Sequence, residues 1–219
     1  GNPYPSAIDA VAFLTANQAS IYGTLYLWRQ TYSSTLNTGN TTSAYCTISS
    51  AGYVSNGDVN ASSNTLTESD LKSIAVGQGF FVKAKGATSN ESVVFRNDMR
   101  ISSTQAHFHR TMEVEKHRIW LNLSNSKGLF KQTLLGYASG ATNGQDLLFD
   151  GISLDSNEEL DFYSVNTEFK NSIQARVLPF DDSDFIPIGF RVKQEGNYTI
   201  SLDDLDGLFT NQTISIFIK

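Results

Sequence analysis

The residues with the most coordinating power in this sequence are its clustered acids, Asp181-Asp182-Ser183-Asp184 and Asp203-Asp204-Leu205-Asp206-Gly207, with a looser third run from Asp155 to Asp161. Oxygen donors crowded into a loop are what Ca²⁺ requires, since it takes roughly six to eight of them. Asp181, Asp182, Asp184, Asp203, Asp204 and Asp206 are therefore the candidate calcium ligands, although neither run has the spacing of an EF-hand. The same residues also suit turns between strands, because Asp bonds its own backbone and Gly207 accepts a positive φ. The three histidines include His107-Phe108-His109, which would set two imidazoles on one face of a strand. With His117 they form a weaker metal candidate, because no His-Glu-x-x-His spacing supports them.

A second constellation is aromatic. Tyr26, Trp28, Tyr32, Tyr45, Tyr53 and Trp120 offer flat apolar faces of the kind that stack on the C–H faces of sugar rings. Trp28 and Tyr32 are the candidate ligand-binding residues, and core packing is the competing role for any tryptophan in an alternating strand. Paired carboxylates would serve a glycosidase only if the fold brought two of them together, which spacing cannot show. There is no Gly-x-Ser-x-Gly elbow, phosphate-binding glycine loop or dinucleotide fingerprint, so the sequence reads as non-enzymatic. Cys46 is the single cysteine; it cannot form an internal disulfide, and its setting suits a small buried residue. Asn-x-Ser/Thr occurs at Asn40, Asn60, Asn90, Asn122, Asn197 and Asn211, a frequency that the abundance of these residue types accounts for.

The elements that must position these groups are strands. Ser, Thr and Asn make up 62 of 219 residues, while Tyr and Phe add 23 against two Met, a mixture that favours pleated half-exposed strands and turns. A net charge of −6 gives no electrostatic reason to bind nucleic acid or anionic lipid, and no apolar run reaches the length of a membrane span. One short helix is predicted from Ser6 to about Asn17, with Ser6 as N-cap. Strands are predicted at Ile21–Trp28, Gly77–Ala84, Ser92–Phe95, Arg118–Leu123, Lys131–Tyr137, Leu160–Val165, Ile173–Leu178, Ile186–Val192, Asn197–Leu202 and Thr213–Ile218. Arg29 to about Glu68 is a long polar excursion, either a loop or weak edge strands. Strands so close in sequence, with little helix between them, predict an all-β fold, an antiparallel β-sandwich or jelly roll, because parallel pairing needs long crossovers. The chain divides into residues 1–105 and 106–219, as two β sub-domains or as one domain.

Several short motifs carry a resemblance. Gly1-Asn2-Pro3-Tyr4-Pro5, Gly23-Thr24-Leu25-Tyr26-Leu27-Trp28, Gly77-Gln78-Gly79-Phe80-Phe81-Val82, Phe95-Arg96-Asn97-Asp98-Met99-Arg100, Arg118-Ile119-Trp120-Leu121-Asn122-Leu123, Leu135-Gly136-Tyr137 and Ile186-Pro187-Ile188-Gly189-Phe190 span nearly the whole chain. Together they resemble a β-rich region of large secreted, adhesin-like surface proteins of Bacteroidota, which usually precedes a sorting domain of the type IX secretion system. The resemblance implies an extracellular or cell-surface location, a longer parent chain, and no catalytic residues to carry over. The expectation from residues and resemblance together is a non-catalytic structural or adhesion module. Its expected partners are other domains of the same polypeptide, or other surface proteins. A carbohydrate-binding module that takes glycans, with calcium assisting, is the alternative.

Overall fold

The structure, a computed structural model, describes residues 1–28, 45–55, 72–86, 92–101, 114–154, 159–166 and 169–217. Their elements are β1 (Ile8–Asp9), α1 (Ala10–Ala16), β2 (Leu25–Trp28), β3 (Tyr45–Ile48), β4 (Tyr53–Val54), β5 (Ser73–Ile74), β6 (Lys116–Asn125), β7 (Phe130–Ala138), β8 (Gly151–Ile152), β9 (Leu160–Val165), β10 (Lys170–Val177), β11 (Ile188–Val192) and β12 (Tyr198–Leu205). Two 3-10 turns lie at Asn97–Met99 and Gly207–Asn211. The fold is all-β and sandwich-like with one short N-terminal helix, as the composition predicts.

The helix starts later than the sequence suggests. Ile8 and Asp9 pair with Ile74 and Ser73, which holds the chain extended until Asp9 caps α1, its Oδ1 accepting from the Ala12 amide at 2.9 Å. Ser6 therefore lies outside the helix, because a carboxylate three residues later caps it better. Ala10, Phe13 and Leu14 turn inward and meet Leu25, Leu27, Cys46 and Ile48 of β2 and β3 in the first core. Asn17 fastens the end of the helix to the 92–95 segment, donating to the Val94 carbonyl at 2.9 Å and accepting from the Val94 amide at 2.7 Å. That segment and Gly77–Ala84, both expected as strands, form no ladder; Phe81 and Ala84 make only single bridges, to Tyr26 and Ile21.

β2, β3 and β4 form one antiparallel sheet, and β11-β9-β10-β7-β6-β12, with β8 on β10, forms the larger one. Among the described residues the β7–β10 pair alone is parallel. The crossover between them, residues 139–169, is long enough for parallel pairing, and its described residues form a loop and two strands where a helix would be usual. β10 pairs with β9 for two ladder positions and then with β7 along the same edge, while β8 lies on its other edge. Leu160 and Phe162 of β9 then pack with Ile119, Leu121, Leu123, Leu135 and Tyr137 from β6 and β7, which makes the second layer of the sandwich. The short connection 193–197 joins β11 to β12, which stand at opposite ends of the ladder order. Fully extended it reaches about 22 Å, less than the roughly 24 Å across a flat six-strand ladder, so the sheet has to curl.

The opposite face of the large sheet carries the N-terminal region. Ala51 and Val54 share a core with Trp120, Leu134, Ala138, Ile173 and Ala175. The 139–150 loop adds a wedge: the Gly23 amide donates to the Leu147 carbonyl at 2.5 Å, and the Ser50 amide to Leu148 at 3.0 Å. A Cβ on Gly23 would stand 2.0 Å from that carbonyl oxygen, so only glycine allows this approach. The expected sub-domain division near residue 105 lies outside the described residues. No helix is long and apolar enough to cross a membrane among the described residues.

Candidate functional site

Alternation along β2 and the 80–83 segment builds one aromatic corner. Leu25 and Leu27 point into the core, and so do Phe80 and Val82 in part, which leaves Tyr26, Trp28, Phe81 and Lys83 on the other side of the local period of two. Phe81 and Tyr26 exchange backbone hydrogen bonds of 2.9 and 3.0 Å, and Trp28 stands opposite Tyr45 across the β2–β3 ladder. Tyr45 consequently has two edge-on neighbours: Trp28 at 5.1 Å and 78°, and Phe81 at 5.8 Å and 76°. Trp28 is 44% exposed and Phe81 60%, so this corner faces solvent.

Beside it lies a cleft of about 440 Å³ lined by Tyr26, Tyr45, Phe81, Val82, Lys83, Ile152, Ser153 and Leu154. Its floor is fixed from below. Tyr26 is buried and its hydroxyl donates to the Ile152 carbonyl at 2.7 Å; burial, the largest effect, raises its pKa, so the phenol stays neutral. Ser153 donates to Asp161 Oδ1 at 3.2 Å and accepts from Lys131 Nζ at 3.2 Å, while Lys131 and Asp161 form an ion pair at 3.1 Å. The second Asp161 oxygen is buried and has no hydrogen-bond partner among the described residues. Lys83 Nζ rests over the ring of Tyr22 at 5.0 Å and that of Phe169 at 5.9 Å. Aromatic walls, a hydroxyl and an ammonium suit the binding of a ring with polar substituents, and no carboxylate is among the described residues that line the cleft.

The sequence-predicted groups divide accordingly. Trp28 stands in the aromatic corner, and Tyr45 joins it, whereas Tyr32 lies outside the described residues. Trp120 is a core residue, its Nε1–H donating to the Tyr53 carbonyl at 2.8 Å and the Arg118 guanidinium lying 4.9 Å from its ring. Cys46 is buried in the first core. His107 and His109 lie outside the described residues. His117 accepts from the Leu208 amide through Nδ1 at 3.2 Å and meets Glu115 through Nε2 at 3.2 Å.

The acidic runs do structural work. Asp184 receives a two-pronged contact from Arg176, at 2.6 and 2.7 Å, and a hydrogen bond from the Tyr137 hydroxyl at 2.8 Å. Burial works to raise the Asp184 pKa, but the hydrogen bonds from Arg176 and Tyr137 prevail and hold it below the ordinary carboxylate range. Asp206 accepts from the Arg118 amide at 2.6 Å and from its Nε at 2.7 Å. Asp203 bonds Asn122 and Gln132 at 2.9 Å each, Asp181 caps Ser183, and Asp204 turns to the Leu205 amide. Asp182 is exposed in the same turn as Asp181. Among the described residues no three His, Cys, Asp or Glu side chains converge to hold a metal ion.

Sequence reasoning missed Phe81, Lys83 and Ser153. The first two were legible in Gly79-Phe80-Phe81-Val82-Lys83, where alternation already separates Phe80 and Val82 from Phe81 and Lys83. Nothing local marks Ser153, which reaches the cleft by the pairing of β8 with β10.

Over its whole length, residues 1–219, the chain matches the family described as Domain of unknown function (DUF8693), and it belongs to that family. No curated protein and no solved structure matches it significantly.

Proposed function

We propose that this member of the family is a non-catalytic adhesion module of a secreted or surface-anchored protein, and that it holds sugar rings in the cleft beside Trp28, Tyr45 and Phe81. The observation that carries this reading is the aromatic trio, exposed at Trp28 and Phe81 and set at near right angles along an open cleft. Two large aromatic side chains left in water at the edge of a packed β-sheet cost hydration free energy unless a partner covers them. A pyranose ring suits such a corner, since its C–H face stacks on one ring while its hydroxyls meet Ser153, Tyr45 and Lys83. The sequence motifs shared with surface proteins of Bacteroidota support the extracellular setting.

The test is binding to a panel of immobilised glycans, followed in solution by the change in Trp28 emission, since Trp120 lies in the core away from the cleft; Trp28→Ala is read on the panel. Phe81→Ala and Trp28→Ala are each expected to weaken binding about fivefold, roughly 1 kcal/mol for a lost stacking face. Glycan binding that survives both substitutions, or no binding across the panel, would overturn the reading.

A further inference from the structure

We infer that the sugar held in this cleft is acidic, a pyranose with a carboxylate that Lys83 receives; this rests on the glycan reading above. Of the described residues lining the cleft, Lys83 is the single charged one, and it is a cation in a chain whose net charge is −6. Its partners are faces of aromatic rings, Tyr22 and Phe169, which lie 6.5 Å apart. Among the described residues no carboxylate pairs with it. A cation–π contact orients an ammonium without neutralising it, so Lys83 keeps its full charge and its donors for an incoming anion. The backbone fixes the base of this side chain as well, the Lys83 carbonyl accepting from the Tyr22 amide at 2.8 Å.

The neighbouring lysine shows what a structural lysine looks like in this fold. Lys131, below Ser153, is paired with Asp161, and its side chain is only 13% exposed. Lys83 is exposed, and no acid among the described residues pairs with it. A neutral sugar would leave that charge unused. A second cation or a basic peptide would be repelled by it. A ligand with one apolar ring face and one carboxylate satisfies both halves of the site, the stacking wall and the ammonium.

The experiment titrates the full chain with oligomers of galacturonate, glucuronate and mannuronate, each beside its carboxyl-reduced neutral counterpart, at low and high ionic strength. At low salt at least one acidic oligomer should bind about tenfold more tightly than its neutral twin, an advantage that shrinks as salt screens the pair. Lys83→Gln should erase the advantage, bringing each acidic oligomer to the affinity of its neutral twin with the melting temperature in place, and Lys83→Arg should keep it. Equal affinity for acid and neutral twins, or a preference that survives Lys83→Gln, would overturn the acidic assignment and leave the glycan reading standing. Failure to bind any oligomer of either kind would overturn both.

Discussion

Arg118 and Arg176 in the large sheet and Lys83 beside the N-terminal cleft are cations in opposite circumstances. The Arg118 guanidinium is buried and that of Arg176 half-buried, and each is locked by a carboxylate from one of the acidic runs, Asp206 and Asp184. Those pairs hold the returning segments around residues 184 and 206 against β10 and β6. Lys83 stands in water on aromatic faces with its charge unspent. Desolvation explains the contrast: a buried charge must be matched within hydrogen-bond reach, whereas an exposed one is carried by solvent and stays available. Charge that is matched holds the fold together, and charge left unmatched beside an apolar surface is free to meet a ligand.

Asp150 tests the first half of the comparison most severely, because it is a buried acid held by backbone N–H groups, from Asp146 and Ala175 at 2.8 Å each. Burial pushes its pKa up to about 7, against the lowering effect of those hydrogen bonds. The unfolded chain loses this proton near pH 4, its ordinary value, while the folded chain keeps it to near pH 7. In that window the native state binds more protons, so this group's contribution to stability falls as pH rises, by up to about 4 kcal/mol, and is flat above it. Urea unfolding of wild type and Asp150→Asn across that range should show the difference between them drifting against wild type as pH rises. A constant difference would mean that Asp150 is ionised throughout.

Asp206→Ala comes next in size. Removing it strips Arg118 of its carboxylate while the guanidinium remains buried, which costs about 3 kcal/mol, seen as a lowered urea midpoint. Glycan affinity of the folded fraction should not change, since the pair lies outside the cleft. Phe81→Ala has the smallest effect on folding, below about 1 kcal/mol, because the ring is 60% exposed. A large loss of stability there would place Phe81 among the packing residues and remove it from the binding surface.

Much of the fold was legible from local pattern. Leu160–Val165 is a strand over the expected residues, and Arg118–Leu123 and Lys131–Tyr137 lie inside β6 and β7, because each is a short apolar and aromatic run bounded by turn signals. Thr213–Phe217 alternates polar and apolar residues and yet makes no ladder, since a strand needs an edge to pair with and periodicity supplies none. The parallel β7–β10 pair was illegible for a related reason: the crossover that permits it is built of strands, and its length alone does not reveal its route.

Composition and alternation by themselves determined that this chain is all-β, that Trp28 falls on a strand, and that the acidic runs sit between strands or at their ends. Tertiary structure decided what each of those groups does. The β2–β3 register set Trp28 against Tyr45, the Tyr26–Phe81 bridge brought Phe81 and Lys83 beside them, and Arg118 and Arg176 captured the aspartates that the sequence offers to calcium. Side-chain alternation is a property of adjacent residues and is written along the chain. Whether a charge is matched or left open depends on partners tens of residues away, and only the folded arrangement brings those within reach.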